Sequence, residues 1–204
     1  MNEIEFSALM VSRVCHDLVG PLGAVVNGLE VLEDENDAAM RDDAIKLVTS
    51  SANQALARIQ FMRIAFGAAG SAGAELDLGE IGRLIQGLLE GGKVKLEWNV
   101  PHAYWAKDWA KLLMNATLLG VDSLPRGGMV VVTAEATPPS FKVIATGLNA
   151  RVAEEVTRAL KGEPLEGPVD ARGIQPQLTY RLAQTVKAGL SVTARDGSVE
   201  ITGS

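Results

Sequence analysis

The first 66 residues contain no strand-like stretch, and one apolar seam runs through their first half. Val11, Val14, Leu18, Leu22, Val25, Leu29 and Leu32 recur at steps of three and four, the spacing that lines side chains along one stripe of an α-helix. After a short polar break at Glu33–Asp37, the pattern resumes with smaller residues: Ala44, Val48, Ser51, Ala55, Ile59, Met62 and Phe66. Two long helices joined by an acidic turn make an antiparallel hairpin. Such a hairpin cannot bury its own seam. Pairing with a second copy into a dimeric four-helix bundle is the expected solution; packing on the rest of the same chain is the alternative.

Gly67-Ala68-Ala69-Gly70-Ser71-Ala72-Gly73 reads as a flexible linker or helix stop. Beyond it the texture changes. Leu78–Leu89, Trp105–Leu124, Arg151–Leu160 and Gln177–Ala188 are predicted helices. Lys93–Val100, Met129–Ala136 and Phe141–Ala145 are predicted strands, and Leu190–Ala194 with Ser198–Thr202 forms a hairpin around Asp196-Gly197. The fold class is therefore α plus α/β: a helical hairpin over residues 1–69, then an α/β sandwich over 70–204 with helices on one face of a sheet.

Composition removes several function classes. The 204-residue chain is 47% hydrophobic and 22% charged, which suits a packed protein. Its formal charge is −6 with no dense Lys/Arg cluster, so nucleic acid is not an expected partner. A single cysteine, Cys15, excludes an internal disulfide and fits a reducing compartment. The start MNEIEF is acidic where a signal peptide is basic, and no apolar run reaches the ~20 residues of a membrane span. A cytoplasmic location is expected.

His16 stands out by its direction. At ~100° per residue it lies about 160° from the first helix's seam. Ser12, Gly20, Gly23 and Asn27 share that outer face. Each helical glycine costs ~1 kcal/mol relative to alanine, a cost explained by close approach of another protein, or else by drift on a solvated face. Pro21 interrupts the helix at a cost of ~3 kcal/mol or more by removing the N–H owed to the Asp17 carbonyl. Asp17, beside the histidine, can orient the imidazole. Cys15, His16 and Asp17 fan out around the helix, which argues against a shared metal site. His102 follows Pro101 and reads as an exposed loop residue.

The segment His16-Asp17-Leu18-Val19-Gly20-Pro21-Leu22 resembles the phosphoacceptor box of sensor histidine kinases. The longer run from Val14 to Glu30, together with Leu124-Pro125-Arg126-Gly127-Gly128, is similar to the ChpT-type bacterial histidine phosphotransferases. That resemblance implies a C-terminal domain like the ATP-binding (Bergerat-type) domain of kinases, but degenerate. Around Asn115 the helix keeps one asparagine, followed by apolar residues. The adenine-reading box is replaced by Ala145-Thr146-Gly147-Leu148-Asn149, without aspartate. The phosphate loop is replaced by Asp170-Ala171-Arg172-Gly173-Ile174-Gln175-Pro176-Gln177, where backbone N–H groups cannot easily cradle phosphate.

The resemblance implies a phosphorelay carrier. His16 would accept a phosphoryl group from the receiver domain of a hybrid kinase and pass it to response regulators of the CtrA and CpdR type. This chain would bind no cofactor, Mg²⁺ being supplied by the receiver. Arg13 and Arg63 are candidate polar contacts to the receiver, beside Ser12, Gly20, Gly23 and Asn27. Gly20 stands where kinases often carry Asn or Thr to orient a hydrolytic water, so autonomous phosphatase activity is not expected. Two other readings stay open: an ATP-dependent kinase with a divergent nucleotide site, and a non-catalytic dimeric scaffold.

Overall fold

The structure is a computed structural model that describes every residue except 35–36, 68–72, 164–168 and 172, together with all but the side chain of Asp34. Helix α1 (Glu3–Asp34) and helix α2 (Ala38–Ala65) form the hairpin. The turn between them is closed from both sides. Asp37 caps α2 by accepting from the N–H groups of Ala39 and Met40, while the Arg41 guanidinium donates to the carbonyl of Leu32 near the end of α1.

The predicted seam divides into two stripes. Val14, Leu18, Pro21, Val25, Gly28 and Leu32, at alternating steps of four and three, are buried or half-buried. At Gly28 a Cβ would come within 2.6 Å of Val48 Cγ2, so the glycine sets how closely the helices approach. Val11, Leu22 and Leu29 instead join Ile4 and Val26 on a stripe about 80° away, and all five are exposed, as are Ile45, Leu56 and Ile59 on α2. Pro21 lies inside α1, which continues through it as one helix. Contrary to the sequence reading, α1 is long and apolar enough to cross a membrane by length and composition; that apolarity is the sum of the two stripes.

Among the described residues, seven strands and four further helices follow: β1 (Glu75–Asp77), α3 (Leu78–Leu89), β2 (Val94–Asn99), β3 (Tyr104–Ala106), α4 (Lys107–Asp122), β4 (Gly128–Glu135), β5 (Ser140–Thr146), α5 (Glu154–Leu160), α6 (Ile174–Val186), β6 (Leu190–Arg195) and β7 (Ser198–Gly203). The main sheet runs β2-β4-β5-β7-β6. Its β2–β4 pair is parallel and the other pairs are antiparallel. Alternate residues of the strands, such as Val130, Val132, Val143, Ala145, Val199 and Ile201, are buried. Opposite them lie Ile81 and Ile85 of α3, Leu112 and Ala116 of α4, and Leu182 of α6 in the same core. Gly120 brings α4 onto the sheet, since a Cβ there would stand 2.8 Å from Val143 Cγ1.

One expectation is corrected. Trp105 does not begin a helix. It sits in β3, which pairs with β1 in a small separate sheet, and it is buried in the core. The same core takes in the end of the hairpin: Phe61, Met62 and Ala65 of α2 belong to it. Helix α4 secures that end, with Asn115 Nδ2 donating to the Ala65 carbonyl at 3.0 Å and Lys111 Nζ to the Gly67 carbonyl at 2.9 Å. The start of α1, at this same open end of the hairpin, is held by α6, where Arg181 bonds Glu3 and stacks over Phe6. The predicted linker lies mostly outside the described residues.

Candidate functional site

His16 sits halfway along α1 with its side chain half exposed. It opens onto a cleft of about 740 Å³ between the hairpin and the C-terminal domain, whose walls include Arg13, Asp17, Arg58, Asp122 and Arg151. His16 Nδ1 lies 3.1 Å from Asp17 Oδ1. A carboxylate oxygen only accepts, so this contact favours a ring protonated on Nδ1 and leaves the Nε2 lone pair available. Asp17 is itself held: its Oδ2 accepts from Arg13 Nε at 2.9 Å, an i,i+4 pair along the helix. Arg13 Nη2 lies 3.6 Å from Asp122 Oδ2, at the end of α4.

The residues predicted on the outer face separate. Ser12, Gly20, Gly23 and Asn27 are exposed around His16, and a Cβ at Gly20 or Gly23 would meet nothing within 4 Å. Packing within the chain therefore does not require either glycine. Arg63 is exposed but does not line the cleft. Arg13 is a correction: it is buried, 7% exposed, and points toward the C-terminal domain rather than into solvent. Its position is about 60° round the helix from His16, far enough for Asp17 and Asp122 to enclose it.

Sequence reasoning missed Arg58 and Asp122. Arg58 lines the cleft with His16, and its Nε is buried with no hydrogen-bond partner among the described residues. Neither residue lies in a recognisable motif; each matters only through distant packing.

In the segments compared with nucleotide-binding boxes, several groups are engaged within the chain. Asn115 is fully buried and spends its amide N–H groups on the Ala65 and Lys111 carbonyls. Gly147, in the turn after β5, is packed against the Leu124–Gly128 turn, where a Cβ would fall 2.4 Å from the Gly127 carbonyl oxygen. Asp170 accepts from the N–H of Gly173, and Pro176 lies in the first turn of α6, removing a donor there. Arg172 lies outside the described residues. Among the described residues, no three or more His, Cys, Asp or Glu side chains converge as a metal site.

Residues 78–198 match the histidine phosphotransferase C-terminal domain family. The chain is similar to the protein phosphotransferase ChpT of Brucella abortus (strain 2308), at 38% identity over 96% of this chain and 94% of that protein. Among solved structures, a bacterial phosphotransferase superposes with a TM-score of 0.91 at 34% identity, covering 100% of this chain and 98% of the other. The histidine kinase domain of a blue-light activated kinase from Erythrobacter litoralis superposes with a TM-score of 0.50 at 15% identity, over 89% of this chain and 94% of that one. The kinase likeness concerns the fold alone.

Proposed function

The chain belongs to the ChpT-type histidine phosphotransferases, and on that premise we propose that His16 carries a phosphoryl group between receiver-domain aspartates without using ATP. The observation that carries this reading is the half-exposed His16 ring, engaged at Nδ1 by Asp17 and surrounded by open small-residue surface.

The transfer follows from that geometry. The Nε2 lone pair of His16 attacks the phosphorus of a receiver's aspartyl phosphate in line. An N–P bond forms as the P–O bond to the aspartate breaks, and the aspartate leaves as a carboxylate. The ring keeps its Nδ1 proton and becomes cationic, with Asp17 facing that charge. Transfer onward to a second receiver is the reverse step with a new carboxylate as nucleophile. Catalysis by this chain is chiefly positioning and electrostatics. The reading assigns it no cofactor, Mg²⁺ and a charge-stabilising lysine coming from the receiver.

The proposed partners are the receiver of a hybrid kinase and response regulators of the CtrA and CpdR type, in the cytoplasm. A second copy of this chain is the proposed cover for the exposed stripes through Val11, Leu22, Val26 and Leu29 on α1 and Leu56 and Ile59 on α2. The test presents the protein separately with a prephosphorylated receiver and with γ-phosphate-labelled ATP and Mg²⁺. Label from the receiver alone supports the carrier. Label from ATP alone would establish a kinase, and label from neither would leave a scaffold.

A further inference from the structure

Arginine is rarely buried unless paired, yet Arg13 is 7% exposed beside a residue whose function depends on exposure. Its guanidinium lies between two carboxylates, Asp17 on its own helix and Asp122 on α4. Asp17 uses one oxygen for Arg13 and the other for the His16 ring. Neighbouring residues on a helix point about 100° apart, so Asp17 reaches His16 only in a restricted rotamer. A fixed donor one turn earlier holds that rotamer.

We propose that Arg13 is a positioning residue for phosphoryl transfer, clamping Asp17 onto the imidazole and anchoring both to the C-terminal domain through Asp122. The inference deepens the carrier reading and rests on it. It gives the degenerate domain a part in the reaction. Helix α4, fixed to the end of α2 by Lys111 and Asn115, brings Asp122 to the phosphoacceptor without touching the phosphoryl group. Arg13 thereby ceases to be a docking residue, and its effect should appear in the rate of the bound complex rather than in its formation.

The test compares full-length wild type with Arg13→Met, Arg13→Lys and Asp122→Asn. Single-turnover transfer from a phosphorylated receiver is measured against receiver concentration. In parallel, ¹⁵N–¹H spectra of the His16 ring report which nitrogen holds the proton. Arg13→Met should slow the saturated rate about tenfold to a hundredfold, leave the half-saturating concentration unchanged, and shift the ring from a Nδ1–H tautomer toward a mixture. Arg13→Lys should recover part of both. Asp122→Asn, removing one half-exposed partner, should slow transfer about two- to fivefold.

A loss confined to the half-saturating concentration would overturn the proposal, placing Arg13 against the receiver. So would an unchanged ring spectrum in Arg13→Met. If that variant fails to fold, Arg13→Lys and Asp122→Asn decide by the same two readouts. A wild-type protein that takes no label from any phosphorylated receiver refutes the carrier reading itself, whereas normal transfer by all three variants removes only the role of Arg13.

Discussion

Asn115 offers a sharp contrast between two meanings of one side chain. At a kinase-like position an asparagine would be a metal ligand; here its amide bridges the Ala65 and Lys111 carbonyls. Ala65 is the last residue of α2 and fully buried, so its carbonyl is one of those a helix end leaves without an internal partner. Asn115→Ala strips that carbonyl of its donor where water does not reach. An unsatisfied buried acceptor costs about 1–3 kcal/mol, and a chain of this length loses roughly 2–4 °C in Tm per kcal/mol. The expected fall is thus roughly 2–12 °C. Asn115→Asp separates the meanings. A carboxylate is the better magnesium ligand, but it sets acceptor against acceptor and should cost more than alanine. Thermal unfolding with and without Mg²⁺ is the assay. An aspartate variant as stable as wild type, or one rescued by Mg²⁺, would refute the clamp.

Four other outcomes follow from the same structure. Gly23→Ala should stabilise by up to ~1 kcal/mol, since its Cβ meets nothing; Gly23→Trp should keep the fold and block receiver transfer, checked by circular dichroism beside the transfer assay. Gly128→Ala should cost at least ~1–3 kcal/mol in urea unfolding, because φ is +149° and the added Cβ would lie 2.2 Å from the Thr146 carbonyl oxygen. Leu22→Glu combined with Leu29→Glu should sediment as a monomer where wild type sediments as the proposed dimer, both residues lying on the exposed stripe. Burial lowers the Lys111 pKa below its ordinary 10.5. The unfolded chain therefore binds the extra proton between the two values, and Lys111 adds stability as pH rises through its folded pKa. Wild type should gain on Lys111→Met across that alkaline range, and a constant difference would contradict the sign.

The helical hairpin was legible because period three-to-four is a strong signal over thirty residues, and both helix ends fall beside polar residues that cap them. The orientation of the seam was not. A single apolar pattern cannot distinguish the stripe that faces α2, through Leu18, Val25 and Leu32, from the neighbouring stripe through Val11, Leu22 and Leu29. Strands β2, β4, β5, β6 and β7 followed from alternation and from the Asp196-Gly197 turn. Strands β1 and β3 escaped because three residues carry no period, and Trp105 was absorbed into the helix that follows it.

In the site, the outward placement of His16 followed from helix geometry alone, as did the open surroundings of Gly20 and Gly23. Arg13 was misplaced for a physical reason. Its burial depends on Asp122, which is remote in sequence and reaches it only when α4 lies along the hairpin. Arg58 was invisible for the same reason. Pairwise contacts across a domain junction leave no local pattern.

The central claim is that the phosphoryl group resides on one imidazole. Wild type and His16→Gln are each exposed to a phosphorylated receiver, then examined by ³¹P NMR and by fragment mass spectrometry under alkaline conditions. The account predicts an acid-labile phosphoramidate on Nε2 of His16 and none in the variant. Equal phosphorylation of His16→Gln, or a phosphoryl group mapped to any other residue, would contradict it.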